Sequence, residues 1–163
     1  MKTQWYESGG KEGEFYYKNG KKEGLGTQWY ESNEKNTELH LENGTPEGLE
    51  ITWCENKEME IHYKNGKMEG LTTTWYESGK KEGELQYKKG KEDGLGTLWY
   101  ESGEKKGESH FKDGGLEGMK ILWYKSGKKK SIKHFKNGVE NGLRTEWDED
   151  GNLTFQGNFV DGN

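Results

Sequence analysis

The sequence has little of what holds most small proteins together. Only 27% of its 163 residues are hydrophobic, and it contains one cysteine and one proline. A single cysteine, Cys54, excludes an internal disulfide framework. No apolar run reaches the length of a transmembrane span. Lysine and glutamate are mixed along the chain, with a net charge of −5, so we expect no nucleic-acid partner, because such partners need clustered basic residues.

The first residues, "MKTQWYESGG", show no apolar core of a secretion signal. We therefore expect a cytoplasmic protein. A secreted protein is the alternative if a leader has been removed.

Aromatic residues and glycines are plentiful and evenly spaced. Aromatics make up 13% of the chain and there are 26 glycines, which argues against the disorder that the low hydrophobic content alone would suggest. Successive tryptophans lie 24 residues apart, except for one interval of 22, and this fixed period indicates a repeat array. The repeats start at Trp5, Trp29, Trp53, Trp75, Trp99, Trp123 and Trp147.

Other residues recur at fixed distances from each tryptophan, which we count as position 0. Position 1 is tyrosine in five repeats: Tyr6, Tyr30, Tyr76, Tyr100 and Tyr124. Position 12 is apolar, and its aromatic members are Tyr17, Tyr63, Tyr87, Phe111, Phe135 and Phe159. Position 15 is always glycine: Gly20, Gly44, Gly66, Gly90, Gly114, Gly138 and Gly162.

Two features predict that each repeat is a pair of antiparallel strands. The third repeat is two residues short, and an even-numbered loss keeps side chains on the same face of a strand but would rotate a helix. Asparagine-glycine, as in "KNGK", is a strong hairpin signal. We therefore predict an all-β fold, with residues 1–163 forming one elongated single-sheet solenoid of β-hairpins, of period 24 and about 6.5 repeats.

Strand alternation then suggests two faces. Leu95, Thr97 and Trp99 share one face, and we expect Leu85 and Tyr87 to join it. The tryptophans and the position-12 aromatics are thus the predicted structural core. The position-1 tyrosines alternate away from Trp99 and its equivalents, so they form a half-exposed row. Tyrosine is favoured at binding surfaces, and this row is the candidate binding face.

The unit "WYESGKKEGELQYKKGKEDGL", from Trp75, resembles the MORN repeat variant found in bacterial YwqK-like antitoxin proteins. This resemblance covers Trp5 to Gly162. It implies a hairpin solenoid with no cofactor and no catalytic motif. It also implies a binding or scaffolding role, with toxin neutralisation in some members.

Residues that could carry chemistry are present but are not grouped for it. His40, His62, His110 and His134 all occupy position 11, about 10 Å apart at best, which is too far for two imidazoles to share a zinc ion. The recurring serines lie in the predicted turn "ESG", and Cys54 replaces a repeat tyrosine. We therefore expect no enzyme, no metal and no cofactor.

The function hypothesis that follows is a non-catalytic protein-binding module, either an antitoxin or immunity protein or a scaffold. An acidic chain suits a basic partner such as a toxic nuclease. The alternatives are a carbohydrate- or choline-binding surface module and a protein that associates with a membrane surface. The sequence leaves open the identity of the partner and the oligomeric state.

Overall fold

The computed structural model describes residues 1–54 and 57–163, and these residues form one open antiparallel sheet. Within them, no helix is long and apolar enough to cross a membrane. The strands are β1 (Lys2–Trp5), β2 (Lys11–Lys18), β3 (Lys21–Trp29), β4 (Lys35–Glu42), β5 (Thr45–Cys54), β6 (Lys57–Lys64), β7 (Lys67–Met68), β8 (Gly70–Trp75), β9 (Lys81–Lys88), β10 (Lys91–Trp99), β11 (Lys105–Lys112), β12 (Gly115–Trp123), β13 (Lys129–Lys136), β14 (Val139–Glu140), β15 (Gly142–Trp147) and β16 (Leu153–Phe159).

Strands follow one another across the sheet in chain order. The short strands β7 and β14 pair only with β6 and β13. Each repeat therefore adds two neighbouring strands and contacts only the repeats on either side. The predicted fold, an all-β single-sheet array of hairpins with a period of 24 residues, is confirmed.

The asparagine-glycine turns lie along one edge of the sheet, which we call the glycine edge. Asn19 has φ of 50° and Gly20 has φ of 78°, and both positions are left-handed in every repeat. Two successive positive φ values define the type I′ turn, whose twist matches that of the flanking strands. Lys89 and Asp113 adopt the same conformation where asparagine is absent. The hairpin prediction at these turns is confirmed.

The described turns that follow the tryptophans lie along the opposite edge, which we call the tyrosine edge. In the first, the Gly9 amide donates to the Tyr6 carbonyl at 2.9 Å, and the Tyr6 amide donates to the Gly10 carbonyl at 2.8 Å. Gly9 has φ of 87°, so this is a hairpin turn closed by a left-handed glycine. A register shift follows at once, since Gln4 pairs with Gly13 but Trp5 pairs with Lys11.

The third repeat lacks that shift over its paired residues. Thr52 lies opposite Met59, Trp53 opposite Glu58 and Cys54 opposite Lys57, in unbroken register. Beyond this point the pairing is the same as in the other repeats, because Gly48 faces Tyr63 as Gly24 faces Leu41. The two-residue loss thus leaves both faces of the sheet unchanged, as predicted.

The expected sharing of a face between Trp99 and the pair Leu85 and Tyr87 is wrong. Leu85 lies opposite Gly96, and Glu84 lies opposite Thr97. Trp99 and Thr97 therefore lie on what we call the tryptophan face, while the position-12 aromatics and Leu85 lie on the opposite, aromatic face. In the repeats that carry the register shift, the cause is the one-residue bulge at the start of the returning strand, because it reverses the alternation that the sequence suggests.

Burial is concentrated on the aromatic face in the first repeats. Phe15, Leu41 and Ile61 are the buried hydrophobic side chains of the described chain. A Cβ on Gly26 would lie 2.6 Å from Phe15 Cδ1, so the ring of Phe15 covers the glycine and replaces the missing side chain.

The tryptophans are less buried than a core role requires. Trp5 is 61% exposed, and the other six tryptophans are half-buried. The position-12 aromatics are also half-buried. A one-layer sheet has no second layer to cover its faces, so the side chains of the predicted structural core are covered only in part.

Candidate functional site

The predicted tyrosine row joins neighbouring repeats. Each hydroxyl donates to the backbone carbonyl of the next repeat's tryptophan, as Tyr76 does to Trp99 at 2.8 Å and Tyr100 to Trp123 at 2.9 Å. The remaining pairs are Tyr6 with Trp29, Tyr30 with Trp53 and Tyr124 with Trp147, at 2.7 to 2.8 Å. The rings are half-buried. The row thus has a structural role, and its contact with a partner stays a prediction.

The glycine edge is joined by a different set of bonds. The Gly114 amide donates to the Glu92 carbonyl of the preceding hairpin at 2.9 Å, and the Gly90 amide donates to the Met68 carbonyl at 2.8 Å. The position before the glycine adds a second bond, since the Lys89 amide donates to the Glu69 carboxylate at 2.7 Å. From Gly44 onward, each hairpin tip is therefore held by the preceding hairpin, independently of the tyrosine edge.

Lysines cover the tryptophan rings on the tryptophan face. The Lys11 ammonium lies 5.0 Å from the Trp29 ring centre and 2.7 Å from the Glu14 carboxylate. Lys81 lies in the same way over Trp99 and pairs with Glu84. A cation over an aromatic ring contributes about 0.5–1 kcal/mol to stability at exposed sites. An exposed ion pair contributes a similarly small amount. These contacts give this part of the face a polar covering.

Apolar side chains remain uncovered beside the tryptophans that the lysines cover. Five of the position-20 residues are 37% to 47% exposed and form what we call the leucine stripe: Leu25, Leu49, Leu95, Met119 and Leu143. Leu95 lies opposite His110, and Met119 lies opposite His134. The sequence analysis missed this stripe, because the exposure of side chains in a single-layer sheet cannot be read from periodicity.

The four histidines lie on the tryptophan face, on the other side of the sheet from Leu85 and Tyr87. His62 Nδ1 lies 3.0 Å from the Leu71 carbonyl oxygen, and His134 Nδ1 lies 2.7 Å from that of Leu143. Within the part of the chain that the structure describes, no group of three or more His, Cys, Asp or Glu side chains could hold a metal ion.

Basic residues are more clustered than the sequence reasoning allowed. The sixth repeat carries Lys125, Lys128, Lys129, Lys130, Lys133 and Lys136 with no acidic residue among them. One ion pair offsets part of this charge, since Lys133 lies 3.5 Å from Glu146, whereas Lys128 Nζ donates to the uncharged Asp150 backbone carbonyl at 3.0 Å. The expectation that charges are evenly mixed is therefore wrong for this repeat, and the run "KSGKKKSIKHFK" was the signal.

One carboxylate on the aromatic face is perturbed by its surroundings. Glu50 lies opposite Leu39 and Ile61 on the two neighbouring strands. Burial raises its pKa above the ordinary value for a glutamate, and a bond from the Thr52 hydroxyl, at 3.3 Å, offsets part of that effect. Burial, followed by the charge of Glu50, also raises the pKa of Tyr63.

Comparison with known proteins identifies the repeat. No curated protein matches the chain. The family model described as "MORN repeat variant" matches four consecutive segments, residues 68–89, 92–113, 116–137 and 140–161. Each segment runs from one glycine-edge turn to the next and contains one tryptophan and one tyrosine-edge turn. Because these segments cover just over half of the chain, it belongs to the MORN repeat variant family.

Proposed function

We propose that the chain is a non-catalytic, cytoplasmic protein-binding module that docks a partner along the leucine stripe. The observation that supports this proposal is the exposure of Leu25, Leu49, Leu95, Met119 and Leu143 in one line. Scattered exposed leucines are normal in soluble proteins, whereas a continuous apolar surface marks an interaction site.

The surroundings of the stripe fit a protein interface. Successive members lie two strands apart, about 10 Å, except between Leu49 and Leu95, where the half-buried Leu71 takes the intervening place. Histidines on the intervening strands alternate with its members, as His110 does opposite Leu95 and His134 opposite Met119, and the ion pairs Lys81–Glu84 and Lys105–Glu108 lie one row further out. An apolar centre with a polar rim is the usual anatomy of such interfaces.

The net charge of −5 favours a basic partner. A basic toxin would make the chain an antitoxin or immunity protein, and a basic structural partner would make it a scaffold. The tyrosine row is a second candidate surface, supported by the partial exposure of its rings on the tyrosine edge.

The test uses two exposed leucines on opposite faces of β10. Leu95, 42% exposed, belongs to the stripe, whereas Leu98, 48% exposed, lies on the aromatic face. A photo-crosslinking amino acid placed at each position in the native host identifies what lies against each face. The captured protein is then purified, and its Kd is measured with Leu95→Lys, Met119→Lys and Leu98→Lys.

We expect capture from position 95 and a Kd about tenfold weaker for each stripe variant, because each loses one buried apolar side chain. Leu98→Lys should bind as the wild type does. Capture from position 98 alone, or crosslinks to lipid or carbohydrate only, would contradict the proposal.

A further inference from the structure

Charge is distributed unevenly between two repeats of the array. The second repeat, residues 29–52, carries six acidic residues and one lysine, whereas the sixth, residues 123–146, carries six lysines, one arginine and two acidic residues. Their net charges are therefore −5 and +5, the two extremes of the array. The fourth repeat, midway between them, has five residues of each sign and no net charge. One chain thus carries both members of a charge-complementary pair.

The acidic and the basic repeat cannot meet within one chain. Glu42 lies on β4 and Lys136 lies on β13, eight strands further along the open sheet. At about 4.8 Å per strand the two are about 40 Å apart. Exposed charges interact little beyond about 8 Å at physiological ionic strength. The attraction between these repeats is therefore available only between two copies of the chain.

Opposite charges also occupy the same positions in these two repeats. Positions 2, 5 and 13 are glutamate in the second repeat and lysine in the sixth, and all six residues are exposed: Glu31, Glu34, Glu42, Lys125, Lys128 and Lys136. Position 13 lies on the tryptophan face near the glycine edge, because Glu42 follows His40 by two residues on β4. Positions 2 and 5 lie in the turns of the tyrosine edge. The charges therefore flank the leucine stripe on both sides.

A two-fold axis parallel to the strands brings these positions together. Placed through the fourth repeat, the axis lays the tryptophan face of one copy on that of a second copy and reverses the order of the repeats. It keeps each edge of the sheet over the same edge, so the second repeat faces the sixth at equal positions, twice in each dimer. Closed dimers of this symmetry are the commonest oligomers, and they use one surface of both copies.

The same axis stacks the leucine stripe on itself. Leu95, in the fourth repeat, faces Leu95 of the second copy, Leu49 faces Leu143, and Leu71 faces Met119. The strands β4 and β13 are eight residues long, or about 26 Å, so the face between them measures about 1,000 Å². A stable interface buries about 800 Å² on each partner. The stripe and its charged borders are therefore large enough to hold a dimer.

We propose that the partner on the leucine stripe is a second copy of this chain, bound face to face with Glu42 of each copy beside Lys136 of the other. The dimer rests on the proposed function, because it names the occupant of the same surface. The sixth repeat supplies the basic surface that suits an acidic chain, and the stacked leucines form the apolar centre of the interface.

A charge exchange at position 13 tests this arrangement. The dissociation constant of the dimer is measured by sedimentation equilibrium for the purified full chain, for Glu42→Lys, for Lys136→Glu and for the double variant. Both residues already occur at position 13 of other repeats, so the fold should be kept. Each single variant places like charges at both symmetric contacts and should weaken the dimer about tenfold. The double variant should regain the wild-type value, because it exchanges both signs.

A mixture of the two single variants gives a matched control. Glu42→Lys and Lys136→Glu should associate with each other about as tightly as two wild-type chains do, because opposite charges then meet at both contacts. A double variant as weak as the single ones, or a mixture that does not associate, would overturn the two-fold arrangement. So would open-ended filaments in place of a dimer.

Two further variants test the face that is used. Leu95→Lys places two lysines against each other on the axis and should dissociate the dimer, whereas Leu98→Lys, on the aromatic face, should leave it intact. A monomeric wild-type chain, or a dimer that Leu95→Lys leaves unchanged, would overturn the proposal.

The dimer and the proposed function fail in different ways. A purified chain that is monomeric, while position 95 captures another protein in the native host, would overturn the dimer and support the proposed function. Crosslinks from position 95 to lipid or carbohydrate only would contradict both. Capture of the chain itself from position 95, together with a dimer that Leu95→Lys dissociates, would support both.

Discussion

Two junctions of the array differ in how they are held. We call the span from position 1 of one repeat to the tryptophan of the next a junction. At the fourth junction the Tyr76 hydroxyl bonds to the Trp99 carbonyl at 2.8 Å, and the glycine edge is joined through Gly114 and Glu92 at 2.9 Å. At the third junction Cys54 takes the place of the tyrosine and has no hydroxyl to donate, while the glycine edge keeps its bonds, through Lys89 and Gly90.

The difference indicates that the tyrosine edge and the glycine edge each contribute their own hydrogen bonds between neighbouring repeats. A solenoid distributes its stability over contacts between neighbours, so a junction joined on one edge is weaker than one joined on both. The third junction must therefore depend more on side-chain packing. Ile61, one of the three buried hydrophobic residues, lies on β6 within this junction.

The largest effect should come from removing that packing. Ile61→Ala should lower the free energy of unfolding by about 2–4 kcal/mol, as large-to-small changes in cores do. Urea unfolding measures this loss. Leu98→Ala is the control, since Leu98 is 48% exposed and should cost much less. Equal losses for the two variants would show that packing does not hold the third junction.

How far the sequence predicts these features depends on the kind of feature. The hairpin turns were predictable because an asparagine-glycine pair favours a type I′ turn. The repeats were predictable because the tryptophans recur at a fixed period. The assignment of side chains to the two faces was not predictable, because a bulge such as that at Lys106 adds one unpaired residue and reverses the alternation. The leucine stripe was missed since exposure depends on the number of layers, which no single repeat encodes.

The next variant should make a regular junction resemble the third junction. Tyr100→Phe removes the hydroxyl that donates to the Trp123 carbonyl and leaves the ring. We expect a loss of about 1 kcal/mol, the usual net value of one hydrogen bond. Amide hydrogen exchange should rise in β11 and β12, on both sides of the lost bond. Unchanged exchange there would mean that the tyrosine bonds do not couple repeats.

The converse change should strengthen the third junction. Cys54→Tyr supplies a hydroxyl that can donate to the Trp75 carbonyl, as Tyr30 does to Trp53 at 2.7 Å. The gain should be at most about 1 kcal/mol, because the added ring also loses conformational freedom. Thermal unfolding checks it, with Cys54→Phe as the matched control that adds the ring alone. A gain that is equal in both variants would assign the effect to the ring.

The smallest effect concerns Glu50 on β5, which lies opposite Ile61, a residue of the third junction. Burial raises the pKa of this carboxyl in the folded chain, so the folded state holds its proton more tightly than the unfolded state. Between the unfolded and the raised folded pKa, stability should therefore increase as the pH falls; above the folded pKa the ionised group keeps its full cost. Glu50→Gln should stabilise the chain by a few tenths of a kcal/mol at neutral pH and remove this pH dependence, because an amide carries no charge to desolvate. Glu38→Gln is the control, since Glu38 is paired with Lys35 at 2.7 Å and its loss should not stabilise. If both variants changed stability in the same direction at neutral pH, the burial of Glu50 would not be the cause of the stabilisation. The weakness of the third junction would then rest on the missing tyrosine alone.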